Sequence, residues 1–308
     1  MKIKEWYKFG FKIGNVKLLR HMMPNSSIVL KLYHKTISAY LEKKLSDAVI
    51  DIQKYSYDSV DIKDDCPIWI FWNSGFDHAP VIVQKCISSI WNHAGNHKVY
   101  ILTDENIDDY IEIPKILVDR LEENKITIAF YADFIRVSLL KKYGGIWMDA
   151  TLFMTHPFDN ELYTNSWYSL KNDEEVNPLY ISNLRWTLYF LCASEKSIVI
   201  DAIHRLMIEN VNKIDGNVDY FTLDYLIEIA YRNNSCVKKI IDGVPNNNRL
   251  GHNYLADNLH KDYDEIMWKK ETTDKYLFKL SYKEFDEKSY SKNSLYAKVV
   301  QPTKTWVK

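Results

Sequence analysis

The chain has 308 residues, 46 % of them hydrophobic, with 40 Lys and Arg against 41 Asp and Glu for a net charge of −1. That balance excludes a disordered chain and a crosslink-dependent miniprotein, and it argues against nucleic acid as a partner. With no run of about 18 apolar residues and no signal-like apolar stretch after the N-terminus, neither a membrane span nor secretion is expected.

In chain order, residues 1–44 carry ten basic residues against only Glu5 and Glu42. Interleaved with them are Trp6, Tyr7, Phe9, Phe11, Ile13, Val16, Leu18 and Leu19. Such a segment either lies on an anionic membrane surface or packs on the body as a helical arm with its lysines in water. Residues 28–56 read as helix, and 58–65 as a polar linker. The apolar run Pro67–Trp72, closed by Asn73-Ser74-Gly75, is a buried strand and turn. Residues 80–93 have helical spacing, Lys98–Leu102 is a second strand, and Thr103 or Asp104 caps a short helix toward Tyr110. This order predicts a βαβ unit and a parallel sheet. Ligands sit at the carboxyl ends of such strands, which makes Trp72, Asn73, Thr103 and Asp104 pocket candidates by position.

Thr127–Tyr143 is strongly helical and stops at Gly144-Gly145. A short strand, Ile146–Met148, then delivers Asp149. Phe153–Phe158 reads as extended chain or loop. Further strands are expected at Trp167–Leu170, Thr187–Leu191, Val237–Ile241 and Tyr276–Leu280, and helices at Ser194–Asn210 and Tyr220–Tyr231. The cysteines Cys66, Cys86, Cys192 and Cys236 form no CxxC pair, so free thiols are expected. His78, His93, His97 and His156 show no zinc-site spacing.

Three residues apart on a helix, Asp133 and Arg136 face the same way. On spacing alone they are either a surface ion pair or a carboxylate and guanidinium presented together to hydroxyls and phosphate. Asp149 ends an apolar strand, where a carboxylate is costly unless it meets a metal, a donor or a ligand; capping a turn is the alternative. The 22 Tyr, 12 Phe and 9 Trp suit a site that grips sugars and bases, although a biased codon composition would give the same excess.

The block Asp133, Arg136, Tyr143, Gly144, Gly145, Trp147, Asp149 resembles the core of GT-A fold glycosyltransferases of the capsular polysaccharide synthesis group. That group is similar to yeast-type α-mannosyltransferases and the large glucosylating bacterial toxins. The run Ile68–Gly75 resembles the group's first strand. The resemblance covers roughly residues 66–158. It implies a Rossmann-like α/β domain over 61–308, with a mixed, mostly parallel central sheet, behind a basic helical segment over 1–60. It implies transfer of a hexose from a UDP-sugar, UDP-glucose or UDP-galactose, to a lipid-linked saccharide acceptor with retention of configuration, in the cytoplasm and peripherally at the inner membrane face. A catalytically weak sugar-nucleotide-binding scaffold is the alternative.

By the same resemblance, Trp72 stacks on the base, and Asp133 and Arg136 hold donor hydroxyls. Trp147 and Ala150 line the donor sugar, and Asp149 contacts ribose and sugar or a metal. Asp149 and Thr151 are then the metal positions for Mn²⁺ or Mg²⁺, but Thr151 stands where the pattern has a second Asp, and a neutral hydroxyl binds such cations more weakly than a carboxylate. Asp224 is the candidate nucleophile and Lys283 a candidate phosphate contact; for both, a plain helix-surface or solvated side chain is the simpler reading.

Overall fold

A computed structural model describes residues 7–57, 59–172, 177–247, 253–273, 275–283 and 285–305. Lys2, Lys4, Glu5 and Trp6 of the basic segment, and Asp58 of the expected linker, lie outside the described residues.

The basic segment forms a helical hairpin, α1 (Phe11–Met22) and α2 (Ser27–Lys44), followed by α3 (Ser46–Gln53). The stretch 28–56, expected to be helical, is helical in two pieces that meet at Leu45, whose φ of −104° and ψ of 29° leave the helical region. Ser26 starts α2 by accepting from the Val29 N–H at 3.4 Å, as an N-cap hydroxyl does. The buried stripe Val29, Tyr33, Ile37 and Leu41 joins the core of the whole chain, so the hairpin is an integral layer of the body.

The central sheet has five strands in the order β2-β1-β3-β6-β5: β1 (Ile68–Phe71), β2 (Val99–Leu102), β3 (Gly145–Met148), β5 (Trp167–Ser169) and β6 (Phe190–Ala193). β1 pairs parallel with β2 and β3, β6 is antiparallel to β3, and β5 is antiparallel to β6. Only β6 is reversed, so the other strands end on one edge. From β1 the chain goes to β2 on one side through α4 (Val81–His93), then to β3 on the other side through α5 (Lys115–Glu122) and α6 (Ile128–Tyr143). The order therefore switches between the carboxyl ends of β1 and β3, where an open α/β sheet leaves a crevice.

A second sheet pairs β4 (Leu152–Met154) with β7 (Leu277–Lys279), antiparallel, with Leu152 opposite Lys279. The stretch Phe153–Phe158, read as extended chain or loop, thus begins as a strand. Helices α7 (Ile198–Lys213) and α8 (Thr222–Asn233) start a few residues after their expected positions. β6 likewise lies later than the expected Thr187–Leu191.

One expectation is corrected outright. Val237–Ile241 is no strand but part of helix α9 (Ser235–Gly243). Asn234 caps it by accepting from the Val237 N–H at 3.0 Å. Val237 and Ile241 are buried one turn apart while Lys238 and Lys239 face out, which is helical spacing hidden in a short β-branched run. Shorter helices α10 (Tyr254–Asn258) and α11 (Glu265–Thr273) precede β7. All four cysteines are free thiols, as expected.

Candidate functional site

The Gly-Gly turn sets the geometry. Gly144 ends α6 with φ 65°, its N–H donating to Leu140 O at 2.9 Å, and Gly145 follows at φ 107°. A Cβ at Gly145 would stand 2.3 Å from the Pro67 carbonyl oxygen, and one at Gly144 would stand 2.7 Å from Glu195 N. Both positions thus need φ above zero and no side chain. The turn folds α6 back along β3, so that the middle of α6, with Asp133 and Arg136, lies beside the carboxyl end of β3. Thr127 begins α6 by accepting from the Phe130 N–H at 3.2 Å.

Asp149 directly follows β3. Its backbone N–H donates to Tyr189 O and its carbonyl accepts from Leu152 N, both at 2.9 Å, a tight turn into β4. Arg136 bridges two carboxylates: Nη1 donates to Asp133 Oδ1 at 2.7 Å and Nη2 to Asp149 Oδ1 at 3.0 Å. Trp147 Nε1 donates to the same Asp149 oxygen at 2.9 Å, and its ring lies beneath the Arg136 guanidinium at 4.9 Å, a cation–π contact. Asp149 Oδ2 accepts from Lys279 Nζ at 2.6 Å. Opposed to Leu152 across the β4–β7 ribbon, Lys279 reaches the site from 130 residues away.

The electrostatics divide the three carboxyl groups. Burial pushes Asp149 up, but Lys279 and Arg136 outweigh it and hold the group at about 2. Burial, with the Asp149 charge adding, raises Asp133 to about 7 against the pull of Arg136. Burial likewise lifts Asp224 to about 7, partly offset by its bond from Trp186 Nε1 at 2.9 Å and raised further by Asp133. One carboxyl held ionised and two whose titration is lifted toward neutral pH therefore share one region, a pattern typical of functional sites.

The other candidates fall in three groups. Trp72, just past β1, contacts Tyr282 edge-to-face at 5.3 Å. Asn73 and Asp104 meet where β1 and β2 end, with Asp104 N donating to Asn73 O at 3.2 Å. Thr103 accepts from Glu105 N at 3.1 Å, so it organises its own turn. These lie on the switch-point edge. Trp147, Ala150 and Thr151 are 2 %, 4 % and 9 % exposed; the first holds Asp149 and Arg136, and the other two form the turn beneath the site, where Thr151 O accepts from Leu280 N at 2.9 Å. Lys283 is exposed in the loop after β7, next to Tyr282.

Sequence reading missed Lys279, Trp186 and the exposed Tyr220, which lies within electrostatic reach of Asp133, Asp149 and Arg136. Nothing in the sequence marked Lys279, because its position depends on a ribbon formed by distant segments.

Among the described residues no group of three or more His, Cys, Asp or Glu could hold a metal ion. Both oxygens of Asp149 already face N–H or ammonium donors. A dication placed about 4 Å from the Lys279 ammonium would meet repulsion on the order of several kcal/mol. The residues present do not fit Mg²⁺ or Mn²⁺.

A family described as capsular polysaccharide synthesis protein matches residues 21–299. The O-glycosyltransferase braB of Annulohypoxylon truncatum is 26 % identical over 102 residues, covering 30 % of this chain and 24 % of that protein. The chain thus aligns with about a quarter of that relative's length. No solved structure matches the chain.

Proposed function

Because the chain belongs to the capsular polysaccharide synthesis protein family, we propose that it is a glycosyltransferase that moves a hexose from a UDP-sugar to a lipid-linked saccharide acceptor. The observation that carries this reading is the bonded cluster Asp133–Arg136–Asp149–Lys279 at the β1–β3 switch point, with Trp72 on the same edge. In this reading Trp72 and Tyr282 take the base, and Asp149 and Asp133 accept from ribose and sugar hydroxyls. The acceptor hydroxyl attacks C1 on the face the diphosphate leaves. The bond from C1 to the β-phosphate oxygen breaks with its electron pair staying on phosphate, the acceptor oxygen bonds C1, and the acceptor proton passes to the departing phosphate. Configuration is retained, and the protein contributes positioning and charge stabilisation.

Asp224, buried against Trp186, lies within electrostatic reach of Asp133 and Arg136. Its near-neutral state suits a hydrogen-bond donor to a sugar oxygen better than a nucleophile. The α1–α2 hairpin supports membrane contact. Phe11 is 81 % and Ile28 78 % exposed, and residues 7–41 contain no Asp or Glu, the combination that binds anionic lipid.

The test is turnover of a nucleotide-sugar panel on a lipid-linked acceptor. UDP-glucose or UDP-galactose is expected to be consumed, and Asp149→Asn to lower kcat/KM at least ~100-fold, the scale of a lost charge-stabilising contact. Absence of turnover with every nucleotide sugar rejects the reading.

A further inference from the structure

The proposed reaction leaves open what neutralises the diphosphate. Three features of the cluster answer it. Asp149, the carboxylate that should carry a cation, has Oδ1 bonded to Arg136 and Trp147 and Oδ2 bonded to Lys279. The neighbouring Thr151 supplies no charge and is buried in the turn. Of the two protein cations, the Arg136 side chain is 5 % exposed and committed to two carboxylates, whereas Lys279 keeps 27 % of its side chain exposed beside the 29 % of Asp149. Lys279 is thus the more exposed of the two cations bonded to Asp149.

We infer that Lys279 Nζ occupies the place of a divalent cation in this site, so that the chain binds the diphosphate of its donor without metal. The proposal rests on the donor-site reading above. An ammonium has three N–H donors. One is spent on Asp149, leaving two for phosphate oxygens, and Nζ, carried by the ribbon strand, lies over the Tyr189 ring 5.3 Å from its centroid. When the C1–O bond breaks, the electron pair remains on the β-phosphate oxygen. Lys279 stabilises that charge by hydrogen bonding and keeps its proton, so nothing beyond donor and acceptor is consumed. Asp149 has a corresponding role: it positions the ammonium and stops it from collapsing onto solvent. Lys283, four residues on and adjacent to Tyr282, is placed to add a second, outer charge.

The experiment uses the full chain and calorimetric binding of UDP, GDP, dTDP and ADP and of their nucleosides, in EDTA and in excess MnCl2. For the diphosphate that binds most tightly, Kd is expected to agree within about twofold between the two conditions. Lys279→Ala is expected to weaken that diphosphate at least tenfold in both conditions, and its nucleoside less than twofold. Lys279→Arg, which keeps the charge, is expected to recover most of the loss, and near-UV circular dichroism of both variants to match the parent. That split between diphosphate and nucleoside separates a phosphate contact from a merely structural role, which would weaken both. Diphosphate binding that requires Mn²⁺, or Lys279→Ala binding as the parent does, overturns the inference and leaves the proposed function standing. Failure of every diphosphate to bind overturns both.

Discussion

At the scale of single residues, the site separates protonation states that isolated aspartates would share. Asp149 is held at about 2 and Asp224 at about 7, on either side of the ordinary value near 4. Their linkage to stability has opposite signs. Asp149, with its folded pKa depressed, contributes stability above the ordinary value that is lost as pH falls toward about 2. Asp224, with its folded pKa raised, is favourable below the ordinary value and loses that advantage as pH rises through about 7. Asp224→Asn removes a buried charge at high pH, a penalty of up to about 4 kcal/mol. Its Tm is therefore expected to exceed that of the parent at pH 8 by several degrees, at ~2–4 °C per kcal/mol, and the gap to close toward pH 4. Thermal scans from pH 4 to 8 check this; a gap independent of pH would mean that Asp224 is not a buried, titrating group.

Elements were legible in proportion to how locally they are encoded. Helix α6 and its stop at Gly144 could be read directly, because period and terminator lie within one stretch, while Thr127, counted in the helix, proved to be its cap. So could β1 and β3, short apolar runs bounded by turn residues. Helix α9 was not, since a nine-residue segment with Val237 and Ile241 one turn apart has as much β-branched content as helical period. The ribbon was half legible: β7 was expected as a strand, but its partner β4 and their register were not, because pairing across more than a hundred residues leaves no local signature. The cluster followed the same rule: Asp133, Arg136 and Asp149 come from one contiguous block, whereas Lys279 depends on the ribbon. The tightest element is the turn at Gly145. Gly145→Ala must absorb a 2.3 Å approach to backbone at a positive φ, and it is expected to cost more than about 2 kcal/mol. Urea denaturation would show this as a lower midpoint at unchanged slope, and a midpoint shift of less than 0.2 M, on the order of 0.5 kcal/mol, would contradict it.

For the whole molecule, the proposed function calls for two working surfaces, one at the strand-end edge and one on the hairpin. The crevice belongs to the strand-end edge; the hairpin projects Phe11, Met22 and Ile28 on a stretch free of acidic residues. In sedimentation with vesicles of 30 % phosphatidylglycerol in phosphatidylcholine, the chain is expected to pellet at low salt and to be released as salt screens the attraction. Phe11→Glu with Ile28→Glu is expected to lower the pelleted fraction at least fivefold while leaving transfer to a soluble acceptor analogue unchanged. Equal pelleting of variant and parent would remove the hairpin from the membrane.

The distance between Asp149 and Lys279 along the chain also matters during synthesis. The five-stranded sheet is complete once β6 has been made, whereas Lys279 belongs to the next sheet and emerges much later. Chains fold as they are made, earlier units first, so a nascent chain can hold a finished sheet with Asp149 in position and no ammonium opposite it. A product truncated before β7 would lack both the β4 partner strand and the Lys279 ammonium. On the proposed role of Lys279, the last ribbon strand is thus the part of the chain that completes the charge balance around Asp149.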